Sequence, residues 1–185
     1  MPQHGGLVGP VPVGVDPEDY DRARRRVLWR IPTGLYLLGS RSGRRRNLMT
    51  CSWVVQVATD PKLVGAGVEA GVHTYELVKE GGAFTVCFLA RDDRALVRRF
   101  VKPAAHDEAA STLNEVGYHD APVTGAPVVD RAVGYLDCRV VQEVGLGSHA
   151  LFVGEVVDAG GALGEEEGAG VEVLRMEDTR MSYGG

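Results

Sequence analysis

Arg44-Arg45-Arg46-Asn47-Leu48-Met49-Thr50-Cys51-Ser52-Trp53-Val54-Val55-Gln56-Val57 joins a basic turn to a run of β-branched and small polar residues. That composition predicts one extended strand over residues 48–57. Thr50 and Ser52 lie two apart, so on such a strand their hydroxyls face the same side. With Arg44, Arg45, Arg46 and Asn47 just upstream, the stretch can offer guanidinium, backbone and hydroxyl donors to one phosphate-bearing ligand. An ordinary strand after a solvated basic turn fits the same residues, and the stretch alone leaves both open.

Upstream, Asp16-Pro17-Glu18-Asp19 marks a helix start. Asp16 can cap, Pro17 suits the first helical position, and acids fill the first turn. This helix should run to about Trp29, after a flexible arm over residues 1–15. Residues 35–40 read as a buried strand. Downstream, Asp60-Pro61 makes a turn and residues 62–68 form the next strand. Gly65 and Gly67 within that strand let something approach its backbone closely. Residues 73–80 fit a short helix stopped by Gly81-Gly82, followed by a strand over 83–89. An acid-capped helix is expected over 92–100, then a polar excursion with one more short helix after Ser111. Gly125-Ala126-Pro127 is a turn. Residues 133–144 and 150–157 form a long hairpin, Glu165, Glu166 and Glu167 a solvated loop, and 171–175 a last strand. Frequent turns, several short strands and few helices point to an antiparallel barrel with helical insertions. One domain over residues 16–177, with a tail over 178–185, accounts for the 185 residues.

The net charge of −5 argues against a general nucleic-acid binder, because phosphate neutralisation needs a positive excess. Cys51, Cys87 and Cys138 make no Cys-x-x-Cys pair and suit buried, reduced thiols in a cytoplasmic protein. The opening Met1-Pro2-Gln3-His4-Gly5-Gly6 lacks the form of a signal peptide, and no apolar run reaches the length of a membrane span. His4, His73, His106, His119 and His149 are dispersed without metal-ligand spacing, so no metal site is expected. Walker A and Gly-x-Ser-x-Gly motifs are absent. An enzyme with no local catalytic constellation would draw its chemistry from an organic cofactor.

Taken in order, several segments resemble the flavin reductase-like, FMN-binding split-barrel family. They are Pro32-Thr33-Gly34-Leu35, Asn47-Leu48-Met49-Thr50-Cys51-Ser52-Trp53, Asp60-Pro61-Lys62-Leu63 and His73-Thr74-Tyr75-Glu76-Leu77. Gly82-Ala83-Phe84-Thr85-Val86, Arg98-Arg99-Phe100-Val101-Lys102, Gly125-Ala126-Pro127, Leu136-Asp137-Cys138-Arg139 and the run from Gly147-Ser148-His149 to Val156 continue the match. The resemblance spans roughly residues 27–158. It implies a mainly β, antiparallel Greek-key split β-barrel with short helical insertions. It also implies a homodimer binding FMN, or FAD, with NADH or NADPH as co-substrate and a monooxygenase as a possible partner.

By the same resemblance, Arg46, Asn47, Leu48, Met49, Thr50, Cys51 and Ser52 line the flavin, and His73 and Thr74 lie near its phosphate. Phe100 and Lys102 close over it. Each position has a plainer structural role beside this one: Thr74 as a helix cap, Phe100 as core, Lys102 and the arginines as solvated charge. Relatives often carry Gly-Asp-His at the hairpin tip, a motif linked to nicotinamide. Here the tip reads Gly147-Ser148-His149, which leaves His149 as the candidate catalytic residue and a flavin-binding electron carrier or storage protein as the alternative. A dimeric interaction module without flavin is the third reading.

Overall fold

The computed structural model describes residues 9–164, 170–181 and 183. The first eight residues of the expected arm, the Glu165, Glu166 and Glu167 run, and Ser182, Gly184 and Gly185 of the tail lie outside them. Two units are distinguished, one of residues 33–179 and one of the residues before Thr33 with the segment from Arg180 onward.

In the smaller unit, α1 spans Pro17–Leu28, with Trp29 as its C-cap. The Asp16 carboxylate accepts the Asp19 N–H at 2.9 Å, and Pro17 fills the first turn. This is the cap expected from the Asp-Pro pair.

The larger unit is a sheet of seven antiparallel strands: β1 (Tyr36–Ser42), β2 (Arg45–Cys51), β3 (Val54–Thr59), β4 (Lys62–Glu69), β5 (Ala83–Phe88), and two later strands from the long hairpin. A second, small sheet comes between β5 and that hairpin in the chain: β6 (His106–Asp107), β7 (Thr112–Leu113), β8 (Val116–Asp120) and β9 (Pro127–Val129). The hairpin strands are β10 (Gly134–Gly145) and β11 (His149–Gly160). Across the large sheet the order is β2-β1-β5-β10-β11-β4-β3.

That order and the chain's connectivity force closure. β2 and β3 stand at opposite edges, yet only Ser52 and Trp53 separate them in sequence. A flat seven-stranded sheet would hold its edges about 29 Å apart, whereas the link can span only about 11 Å. The sheet must therefore roll until its edges meet. The edges do not pair with each other, so the barrel stays split where the chain crosses. The single strand expected over 48–57 is thus two strands, and β2 ends one residue before Ser52.

The barrel interior holds Leu38, Cys51, Val64, Ala66, Val68, Phe84, Val86, Cys138, Ala150 and Phe152, joined by Val78 of the helix α2 (His73–Gly81). α2 ends as the glycines require: Gly82 takes a left-handed φ of 65° and donates its N–H to the Val78 carbonyl at 2.8 Å. All three cysteines are buried and free. Burial pushes the Cys51 and Cys87 thiols up to about 11 and Cys138 to about 12, so none is a ready nucleophile near neutrality.

Three sequence expectations give way. The helix over 92–100 is two short 3-10 turns, Arg91–Asp93 and Leu96–Phe100. Its Val97 carbonyl accepts the Thr50 hydroxyl at 2.5 Å, tying the segment to β2. The helix after Ser111 is absent. In its place the β7–β8 turn holds Asn114 and Glu115 at positive φ. Asn114 is pinned there because its side chain accepts from the Ala105 N–H at 2.9 Å and donates to the Arg99 carbonyl at 2.6 Å. Lastly, residues 171–175 make only two isolated bridges, Gly34 with Arg175 and Ala90 with Val173. They still form a strap, with Leu174 fully buried and bonded to Leu35 and Leu89. Arg91 fastens its end through Glu172 at 2.9 Å and Asp178 at 2.7 Å.

Candidate functional site

β2 carries seven residues, and their burial does not simply alternate: Asn47, Leu48 and Cys51 are buried, and Arg46, Met49 and Thr50 are half-buried. Cys51 belongs to the barrel core and half-buried Met49 packs against it, while Leu48, an odd number of residues away, is buried on the strand's other face. Asn47 is 1% exposed and sits at a junction. Its amide nitrogen donates to the Thr74 hydroxyl at 2.9 Å, and its carbonyl oxygen accepts the Ala104 N–H at 2.8 Å. One side chain thereby clamps β2 to α2 and to the segment after Phe100. Thr50 adds the second clamp through Val97. So Asn47, Thr74 and Thr50 come together, but their polar groups are engaged within the chain.

Thr74 does not cap α2. Val72 holds the N-cap position and makes no side-chain cap, while Thr74 lies one residue inside the helix, against Asn47. The start of α2 is thus a helix N-terminus without a side-chain acceptor, with half-buried His73 as its first residue. Phe100 is fully buried core, and Lys102 just beyond it is exposed.

The arginine run is neutralised. Arg44 grips Glu108 with two hydrogen-bonding nitrogens, and Arg45 pairs with Glu80. Arg46 makes a fork on Asp120 at 2.9 and 2.8 Å and also donates to the Gly43 carbonyl at 2.8 Å. Only 12% of the Arg46 side chain is exposed. The nearby guanidinium holds the Asp120 carboxyl below its usual range. The sign follows: a depressed carboxyl stabilises the fold above the ordinary aspartate pKa of 3.8 and loses that contribution as pH falls through its folded value. Arg46→Gln should therefore cost about 1 kcal/mol at pH 7, after allowing for the half-exposed carboxylate. The gap to the wild-type protein should narrow in urea melts below pH 3.8, leaving only the Gly43 contact. A gap independent of pH would show that the fork carries nothing.

At the barrel's split, Ser52 is 6% exposed and its hydroxyl bonds no described residue. Trp53 follows, its ring 4.7 Å from that of His149 between centroids. The Ser148 hydroxyl meets His149 Nδ1 at 2.9 Å. β2 and β3 are edge strands, so backbone donors and acceptors on one side of each are left for other partners.

A family model described as a flavin reductase like domain matches residues 28–179. The chain belongs to that family. A ferric-chelate reductase (NAD(P)H) of Archaeoglobus fulgidus is 32% identical over 134 residues, covering 71% of this chain and 77% of the relative. The reductase component of a 4-nitrophenol 4-monooxygenase/4-nitrocatechol 2-monooxygenase from Rhodococcus opacus is 30% identical over 110 residues, covering 60% of this chain and 56% of that protein. Among solved structures, the NADH:FAD oxidoreductase SgcE6 of Streptomyces globisporus C-1027 superposes with a TM-score of 0.73 over 95% of this chain and 98% of its own, at 24% identity. That likeness is one of fold.

The donor set suits the flavin that the family name implies. An uncapped helix start with His73, and exposed Lys102 two residues before the Ala104 that shares Asn47 with Thr74, match a phosphate. Neutral donors and acceptors along the free β2 edge, with the Ser52 hydroxyl, match the ring's polar rim. Sequence reasoning passed over Trp53, although it stood in the decisive stretch, because a lone aromatic gives no sign of what it will face. It also missed Asp120, which reaches Arg46 across 74 residues.

Among the described residues no group of three or more His, Cys, Asp or Glu could hold a metal ion, and no helix is long and apolar enough to cross a membrane.

Proposed function

We propose that the protein is a flavin-dependent oxidoreductase in which NADH or NADPH reduces bound FMN, with FAD as the other candidate flavin. The observation that carries this reading is the family match, which spans the whole barrel together with its C-terminal strap. When bound, the flavin supplies the hydride-accepting chemistry. The chain supplies position and shielding. The backbone from Met49 to Ser52 and the Ser52 hydroxyl would hold the ring, with Leu48 and Cys51, buried on opposite faces of the strand, keeping it rigid. His73 and Lys102 meet the phosphate. Asn47 and Thr50 act from behind, clamping the segment that carries Phe100 and Lys102. His149 orients the nicotinamide.

Anaerobic addition of NADH, then NADPH, to FMN-loaded protein tests this directly. A yellow protein that bleaches is the expected result. Persistent colour would leave the flavin-binding electron carrier, a reading favoured by the neutral Ser148 hydroxyl at His149, where the Gly-Asp-His pattern of the resemblance has a carboxylate. Failure to take up FMN would remove both.

The reading also includes a second copy of the chain. Val55 and Val57 on edge strand β3 are 58% and 46% exposed, an apolar edge that a monomer leaves unprotected. Light scattering should give twice the 19.8 kDa chain mass, and a Val55→Lys/Val57→Lys variant should fall toward the single mass. A wild-type monomer would refute the dimer. The monooxygenase component of the Rhodococcus relative's system makes a flavin-consuming monooxygenase the partner class to test. Three reduced thiols fit a cytoplasmic setting.

A further inference from the structure

We infer that Trp53 is a positioning residue for His149: the indole fixes the plane of the imidazole that the proposed reaction uses. The inference rests on the reductase reading and deepens it.

Trp53 is half of the two-residue link across the barrel's split, so its backbone has little freedom. Its carbonyl accepts the Gly67 N–H at 2.8 Å. Its side chain lies directly over Gly67, where a Cβ would stand 3.1 Å from the indole Cε3 and 3.2 Å from the Trp53 Cβ. The absence of a side chain at Gly67 therefore makes a bed for the ring. From that bed the indole meets the His149 ring at 4.7 Å, inclined by 49°. The imidazole is held on its other coordinates too. Ser148 Oγ stands 2.9 Å from Nδ1, the His149 carbonyl accepts from Leu146 at 2.7 Å, and the Ser148 carbonyl accepts from Ala70 at 2.9 Å. Glu69 is the charged residue paired across from His149 on β4.

A tryptophan with 37% of its surface exposed, its ring against His149 beside the split, is poorly explained as core filling. An aromatic pair restricts ring rotation. A neutral hydroxyl at Nδ1 orients an imidazole less firmly than a carboxylate would, so the tilted indole contact supplies the constraint that Ser148 lacks.

The chain has two tryptophans, so Trp29→Phe leaves Trp53 as the sole indole emitter. An imidazolium in contact with an indole quenches it. Emission of the Trp29→Phe protein should therefore fall on acidification from about pH 8 to about pH 5, where histidines take up a proton. Adding His149→Gln should abolish that fall. In steady-state NADH oxidation with FMN, Trp53→Leu should raise KM for NADH about three- to tenfold, with kcat changed less than about twofold. Trp53→Phe should restore KM, and the effect of Trp53→Leu should vanish in a His149→Gln background. Gly67→Ala, which crowds the bed without touching either ring's chemistry, should act like a mild Trp53→Leu and covers the case in which the latter does not fold.

Emission of Trp53 that ignores His149, or a KM rise that is the same with and without His149, overturns the inference while leaving the reductase reading intact. No NADH oxidation by the wild-type protein overturns that reading and the inference with it. The fluorescence titration needs no nicotinamide and tells the two failures apart.

Discussion

Asn47→Ala should lower the stability of the flavin-free protein by about 2–4 kcal/mol, because it strands two polar groups at once. The Thr74 hydroxyl loses its donor at 2.9 Å and the Ala104 N–H loses its acceptor at 2.8 Å. Thr74 is 2% exposed, so water cannot readily replace the amide there. Ala104 is half-buried, so water can partly replace the acceptor its N–H loses. Urea melts should shift their midpoint with the slope unchanged. FMN affinity should fall as well, since the clamp that holds the 97–104 segment against β2 is released. A variant with full apo stability and weakened FMN binding would instead make Asn47 a direct ligand contact and contradict the clamp.

Phe100→Ala should cost about 3–5 kcal/mol, the range for emptying a buried aromatic site. Phe100 is 0% exposed and shares its 3-10 turn with buried Leu96 and Val97. For a chain of this size that corresponds to a melting-temperature loss of roughly 6–20 °C. Differential scanning calorimetry on the flavin-free protein checks it. A lid side chain would behave otherwise, speeding FMN release while leaving the melt of the flavin-free protein in place. The resemblance assigned Phe100 to closing over the site, and its burial gives it to the core. Exposed Lys102, two residues on, keeps the freedom a closing element needs.

Both predictions concern residues whose importance was legible and whose work was not. Asn47 and Phe100 stand in segments that the family resemblance marks. Nothing local to Asn47 tells that its amide will be consumed by Thr74 and Ala104, because those partners lie 27 and 57 residues away. The arginine run is the same case. Three adjacent guanidinium groups look like an anion cradle until Glu108, Glu80 and Asp120 fold back onto them. The helix expected over 92–100 and the one after Ser111 failed for a related reason. Short amphipathic segments have weak intrinsic preferences, and side-chain ties from Thr50 and Asn114 overrode them.

What the residues alone determined was everything with a short-range cause. Asp16 before Pro17 caps a helix, Gly82 stops another by adopting a conformation that costs it little, and alternating strands around Gly147 make the β10–β11 hairpin. Only tertiary structure decided that the 48–57 run breaks at Ser52-Trp53. A strand pattern is the same whether its two halves share an edge or close a barrel between opposite edges. That break, which follows from seven strands having to roll shut, is what places Ser52, Trp53 and His149 at the split.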